Sequence, residues 1–260
     1  MWKRLRIAVL LIILAVVAFD ALSDKFLRTN WGHPIYVTVY PINADASDAA
    51  DKSVAAVEAA DFQPLEQFFV DEAHRYGIPL DHPVQVIIGD PVRELPPQIE
   101  HDSGRLAIVS WSLKARYWAW RAAHQKYGPT PTVRLFLLYR DPERTPVLPH
   151  STGLEKGMFG FVNVFADRSM QGANLVVTAH ELLHTLGATD KYDPATNQPS
   201  LPAGFAEPDR RPLYPQSLAE LMAGRIPVSP AEATIPTSLR SVLVGPVTAV
   251  EIGWRKNAAP

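Results

Sequence analysis

The residues with the clearest chemical capacity are His180-Glu181-Leu182-Leu183-His184, followed by Gly187 and Asp190. On an α-helix, positions i and i+4 stand one turn apart on one face, so two imidazoles there can reach a single ion at about 2.0–2.1 Å. Glu181 falls close enough to contact water held by that ion rather than the ion itself. Such water has its pKa lowered to about 7 and becomes a nucleophile at neutral pH. Zinc needs a third ligand. Gly187 can take the left-handed conformation that ends a helix and turns the chain back, which would bring Asp190 over the same face. A His-Glu-x-x-His pattern arises by chance in about one chain in a hundred of this composition, before the Gly and Asp are required.

Other ligand sets are open. Asp193 lies close enough in sequence to replace Asp190, or to serve a turn before Pro194. Asp190, Asp193 and Asn197 could together hold a second, hard cation such as calcium, since all three offer oxygen. Glu207 and Glu220 could supply a later glutamate ligand, although neither sits in a matching pattern.

Composition narrows the chemistry further. Cysteine is absent, which excludes thiol catalysis, disulfides and thiolate metal sites. Any metal must be held by His, Asp or Glu. A net charge of −2 gives no reason to invoke a nucleic-acid partner. His33, His74, His82, His101 and His150 form no ligand spacing, and no phosphate-binding glycine loop or serine-nucleophile motif is present. The 24 prolines cluster within 142–149 and 194–236, where they predict long, stiffened loops.

The positioning elements read as a mixed α/β domain. Residues 34–42 and 133–139 predict strands, as does the short apolar stretch 84–88, with 106–111 as a further strand. Residues 158–165 alternate and predict an edge strand. Helices are expected over 61–76, 112–127, 174–186 and 246–252, with Gly77 and Gly187 as stops. The segment 116–121 could form a carbohydrate, peptide or membrane-surface patch, but Leu113, Tyr117, Trp120 and His124 share one helical face, which is assigned to the core; Trp118 is left without a role.

Before the domain, Lys3, Arg4 and Arg6 precede an unbroken apolar run, residues 7–19. This pattern predicts a signal anchor, or a signal peptide cleaved near Ala21-Leu22-Ser23, over 1–23. Either reading places a linker, 24–33, and a domain, 34–260, on the extracytoplasmic side of a cell envelope, the anchor adding a membrane partner.

The segment from His180 to Asp190 resembles the extended zinc signature of the metzincin metallopeptidases, in the Asp-containing form similar to snapalysin. That family also carries a methionine in a tight turn downstream, and Met222 fits this position. The resemblance covers about residues 174–224. It implies a zincin domain with a twisted mixed sheet and an active-site helix, zinc bound by His180, His184 and Asp190, and Glu181 as general base. It further implies that an extended peptide or protein substrate pairs with the edge strand. The chain departs from many relatives in having Asp190 where they have His, and Gly224 where some have a tyrosine; Tyr192 and Tyr214 are the candidate replacements. The expected activity is zinc-dependent peptide hydrolysis. The alternative is a zinc-stabilised binding or scaffold domain with little catalysis, against which stand the three-ligand set and the otherwise superfluous Glu181.

Overall fold

The computed structural model describes residues 30–99, 104–123 and 128–256, together with Trp2 and Arg6. In chain order the main elements are β1 (Ile35–Asn43), α1 (Asp48–Ala55), α2 (Gln63–Arg75), β2 (Val84–Ile88), α3 (Arg105–Ala122) and β3 (Val133–Arg140). There follow β4 (Thr152–Leu154), β5 (Phe159–Phe165), α4 (Gln171–Thr185) and α5 (Pro246–Glu251). The five strands form one mixed sheet in the order β2-β1-β3-β5-β4. Four are mutually parallel, and only β4 runs antiparallel, against β5.

Both faces of the sheet are covered, which explains why its central strands read as near-continuous apolar runs. Along β3, Leu135 and Leu137 enter one core with α2 and α4, while Phe136 and Leu138 enter a second core with α3. Opposite placement of α2 and α3 follows from topology. The chain crosses from β1 to β2 in one direction and from β2 past β1 to β3 in the other. A right-handed sense in both crossovers puts their helices on opposite faces.

Three expectations are corrected. Residues 106–111 are helical, forming the first turns of α3, because an apolar run of that length fits a helix as well as a strand and the sheet has no position for it. Residues 158–165 do not form the edge: Thr152, Gly153 and Leu154 pair with Phe161, Gly160 and Phe159, so the edge strand is β4. The face of α3 assigned to the core is the outer one. Trp118, Ala115 and Ala119 are buried, whereas Leu113, Tyr117 and Trp120 are exposed. Trp118 packs edge-on against Phe136 and Phe161, with ring centroids 4.8 and 5.6 Å apart. A helix with apolar residues on two sides has no single face that periodicity can identify.

The proline-rich stretch 194–236 carries only two-residue strands and a single 3-10 turn. Trp31, before β1, is buried edge-on against Trp254 and donates its indole N–H to the Ile252 carbonyl at 2.7 Å. The apolar run 7–19 lies outside the described residues, as does His124; among those described, no helix is long and apolar enough to cross a membrane.

Candidate metal centre

Helix α4 is fixed along its length before it reaches the motif. Asn174 both accepts from the Phe165 N–H and donates to the Phe165 carbonyl, at 3.0 and 2.9 Å, tying the first turn of α4 to the end of β5. Leu175, Val176, Ala179, Leu182 and Leu183 are buried in the larger core, which leaves His180 and His184 on the free side. Gly187 ends the helix with φ of 98°, and the Ala188 N–H returns to the Leu183 carbonyl at 3.0 Å. This left-handed closure reverses the chain.

The reversal brings Asp190 to the histidines. Its Oδ1 lies 3.2 Å from Nε2 of His180 and 3.2 Å from Nε2 of His184, and the two Nε2 atoms are 3.1 Å apart. Three ligands held tetrahedrally at zinc-like bond lengths would be about 3.3 Å from one another. Each Nδ1 faces a backbone carbonyl, Leu221 for His180 and Ala188 for His184, both at 2.9 Å. Nδ1–H donation to those carbonyls leaves the Nε2 lone pairs pointing at each other and at a carboxylate. Such a convergence of electron-rich atoms is unfavourable until a cation is shared among them. The donor set and its spacing therefore fit a metal ion, and ligand atoms of His180, Glu181 and His184 lie within 4.8 Å of one another.

Electrostatics agree. Burial opposes charge on His180, yet the hydrogen bond with Asp190, the Glu181 charge and the Leu221 carbonyl push its pKa up to about 9. Burial would raise Asp190, but its contacts with His180 and His184 hold it well below the usual carboxylate range. The site draws in positive charge. Glu181 is 5% exposed; burial pushes its pKa up, partly offset by the neighbouring histidines and by a hydrogen bond with the Gly153 backbone. Its Oε2 is buried and has no hydrogen-bond partner, an arrangement that costs free energy unless a reactant uses it.

Met222 is fully buried in the 3-10 turn Leu221–Ala223, and its carbonyl accepts the Lys191 N–H at 2.9 Å. Glu220 caps that turn: it accepts from Ala223 N–H at 3.0 Å, Gly245 N–H at 3.0 Å and the Thr248 hydroxyl at 2.7 Å. A carboxylate engaged in this way is not free to bind the ion. Glu207 is likewise taken up by Ser217 and Arg210, and Asp193 serves the turn before the short strand Gln198–Pro199, its Oδ1 accepting the Ala195 N–H at 2.9 Å. Of the two candidate tyrosines, Tyr192 hydrogen-bonds Asp190, and its pKa is raised by burial and by the Asp190 and Glu181 charges. Tyr214 packs edge-on against Phe205.

No family model and no curated protein matches the chain. What the centre can do is set by its own geometry.

Two supporting elements were not foreseen. Gly153 on β4 passes so close to α4 that a Cβ there would lie 2.4 Å from the Glu181 carbonyl oxygen and 2.5 Å from the His184 Cβ. A lone glycine between polar residues is a weak signal of such an approach. Lys191, 6% exposed, places its Nζ 2.7 Å from Glu251 Oε2 and 2.6 Å from the Thr189 carbonyl, anchoring the residue after Asp190. Nothing in the local sequence pairs Lys191 with Glu251.

Proposed function

We propose that the protein is a zinc-dependent metallopeptidase of the extracytoplasmic face, with His180, His184 and Asp190 as zinc ligands and Glu181 as general base. The observation that carries this reading is the triangle of two Nε2 atoms and one Oδ1, 3.1–3.2 Å on each side, beside a buried carboxylate oxygen without a partner. When bound, zinc supplies a Lewis acid that acidifies water and offsets negative charge developing on a carbonyl oxygen. Glu181 accepts a proton as water adds to the scissile carbonyl, then delivers it to the departing amine. Its raised pKa suits both roles. Tyr192 holds Asp190 in orientation through their hydrogen bond. The edge strand β4 runs alongside Glu181, where an extended peptide can align by backbone pairing. The Met222 turn and the antiparallel edge strand support the metzincin-like reading over a different zinc hydrolase. Lys3, Arg4 and Arg6 ahead of the apolar run support the location.

The test compares newly formed protein termini in cells carrying the wild type or Glu181→Gln. Termini that vanish in the variant, with its zinc content unchanged, are the expected result. Identical termini in both would overturn the peptidase reading and leave a metal-stabilised domain without this catalysis.

A further inference from the structure

The carboxyl ends of the parallel strands open on a crevice of about 650 Å³. Residues that follow β1, β3 and β5 line it: Asp48, then Asp141 and Glu143, then Ala166 and Asp167. In open sheets of parallel strands, ligands gather outside the carboxyl ends where the strand order reverses, and here it reverses between β1 and β3. The volume is that of a small-molecule site. It is separate from the metal centre. The crevice meets α4 at Gln171, whereas His180 and His184 lie nine and thirteen residues further on, about 14–20 Å away at about 1.5 Å per residue.

The lining contains a polar group that the rest of the protein leaves unused. Tyr139 is 6% exposed and belongs to the larger core, yet its hydroxyl has no hydrogen-bond partner among the described residues. The charges that act on it are those of Asp61 and Arg168, both in the lining, so the hydroxyl is directed into the crevice. Burial, and after it the Asp61 charge, push its pKa up, which keeps it a neutral phenol able to donate and to accept. A buried hydroxyl without a partner costs free energy that contact with a ligand atom would recover.

Charge and spacing decide the ligand class. Asp48, Asp61, Asp141, Glu143 and Asp167 line the crevice against two cations, Lys52 and Arg168. Arg168 is held by Asp61 at 3.0 Å, and Arg144, from outside the lining, faces Asp141 at 3.9 Å. Asp48, Glu143 and Asp167 have no ion-pair partner among the described residues, and neither does Lys52. The remaining balance is negative. These carboxylates are spread around the crevice: among the described residues, only His180, Glu181 and His184 bring ligand atoms within reach of one ion. Such a spread does not suit a metal ion, which needs its oxygen ligands gathered at one point. It suits an extended cation whose charges are separated by apolar spacers, for which Ala56, Val57, Pro142 and Phe165 supply apolar surface. We infer that the crevice binds a linear aliphatic oligoamine. Its ammonium groups sit among Asp48, Glu143 and Asp167, its methylenes lie on the apolar lining, and one N–H donates to the Tyr139 hydroxyl.

Radiolabelled spermidine dialysed to equilibrium against the full chain at low salt provides the test. One saturable site per chain is expected, with or without zinc, and a neutral diol of similar length should not compete. Asp48→Asn combined with Glu143→Gln removes two exposed charges and should weaken binding several-fold. Tyr139→Phe deletes only the hydroxyl and should weaken it several-fold as well. Asp81→Asn, at a carboxylate outside the crevice, should leave it unchanged. Absence of a saturable site overturns the inference. Affinity unaltered by the double variant, or by a folded Tyr139→Phe chain, places the amine elsewhere and also overturns it. Equal weakening by Asp81→Asn, or full competition by magnesium at matched charge, identifies diffuse counterion binding and overturns it too.

Discussion

Nδ1 of His180 lies 2.9 Å from the carbonyl oxygen of Leu221. The first histidine of the motif is thereby fastened to the turn that buries Met222, 42 residues further along the chain. That turn is held in its own right by Glu220, and it receives the backbone of Lys191 through the Met222 carbonyl. The turn around the buried Met222 thus supports both sides of the His180–His184–Asp190 triangle through its backbone carbonyls.

Met222→Ala should lower stability by about 2–5 kcal/mol, the usual range when a buried methionine is truncated. Met222→Leu, close in volume, should cost less than about 1.5 kcal/mol. Urea unfolding with zinc present provides the measurement, and chelator competition should show weaker zinc binding in the alanine variant alone. Equal behaviour of the two variants would separate Met222 from the site.

Tyr192→Phe removes the hydroxyl that hydrogen-bonds Asp190. Loss of an outer partner of a metal ligand typically costs about 10- to 100-fold in affinity or activity. Chelator competition and turnover on a cleaved substrate should show a loss in that range. The folding midpoint of the metal-depleted protein should barely move, and a large shift there would make Tyr192 a packing residue.

Gly153→Ala places a Cβ against the Glu181 carbonyl and the His184 Cβ, where neither neighbour can give way easily. Forcing β4 and α4 apart should destabilise the fold by about 1–3 kcal/mol. Turnover should fall further than zinc content, because β4 also supplies the hydrogen bond to Glu181. Metal analysis and kinetics on the same sample distinguish the two effects.

The contacts of His180 with Asp190 make stability depend on pH in a defined direction. His180 is raised from 6.5 to about 9, so its contribution is complete below about 6.5 and is lost as pH rises through about 9. Asp190 is depressed from 3.8, so its contribution is present above about 3.8 and is lost as pH falls through its lower folded value. Chelator-treated protein should therefore weaken between pH 6.5 and 9, while zinc uptake strengthens over the same interval because ion and proton compete for His180. Urea unfolding with and without zinc across that range checks both signs. Parallel curves would contradict them.

The clustering of His180, His184 and Asp190 was more legible in the sequence than the elements around it. His180 and His184 sit at a spacing only a helix brings together, and Gly187 marks where the chain can turn to deliver Asp190. Those are local constraints. Strand β4 spans three residues, too few for alternation to register, and its place at the edge depends on β5, which no local pattern records. Residues 106–111 failed for a different reason: Ile108 and Val109 favour a strand, and Trp111, Ala115 and Trp118 draw the segment onto the sheet as a helix. The same two-sided apolarity exchanged the inner and outer faces of α3. Lys191 and Glu251 meet only because the C-terminal helix folds back onto the loop after α4.

Metal analysis of the purified chain tests the central claim most directly. A single zinc per chain is predicted, retained in Glu181→Gln and lost in both His184→Ala and Asp190→Ala. A wild-type chain that takes up no zinc, or a His184→Ala chain that keeps it undiminished, would contradict the account.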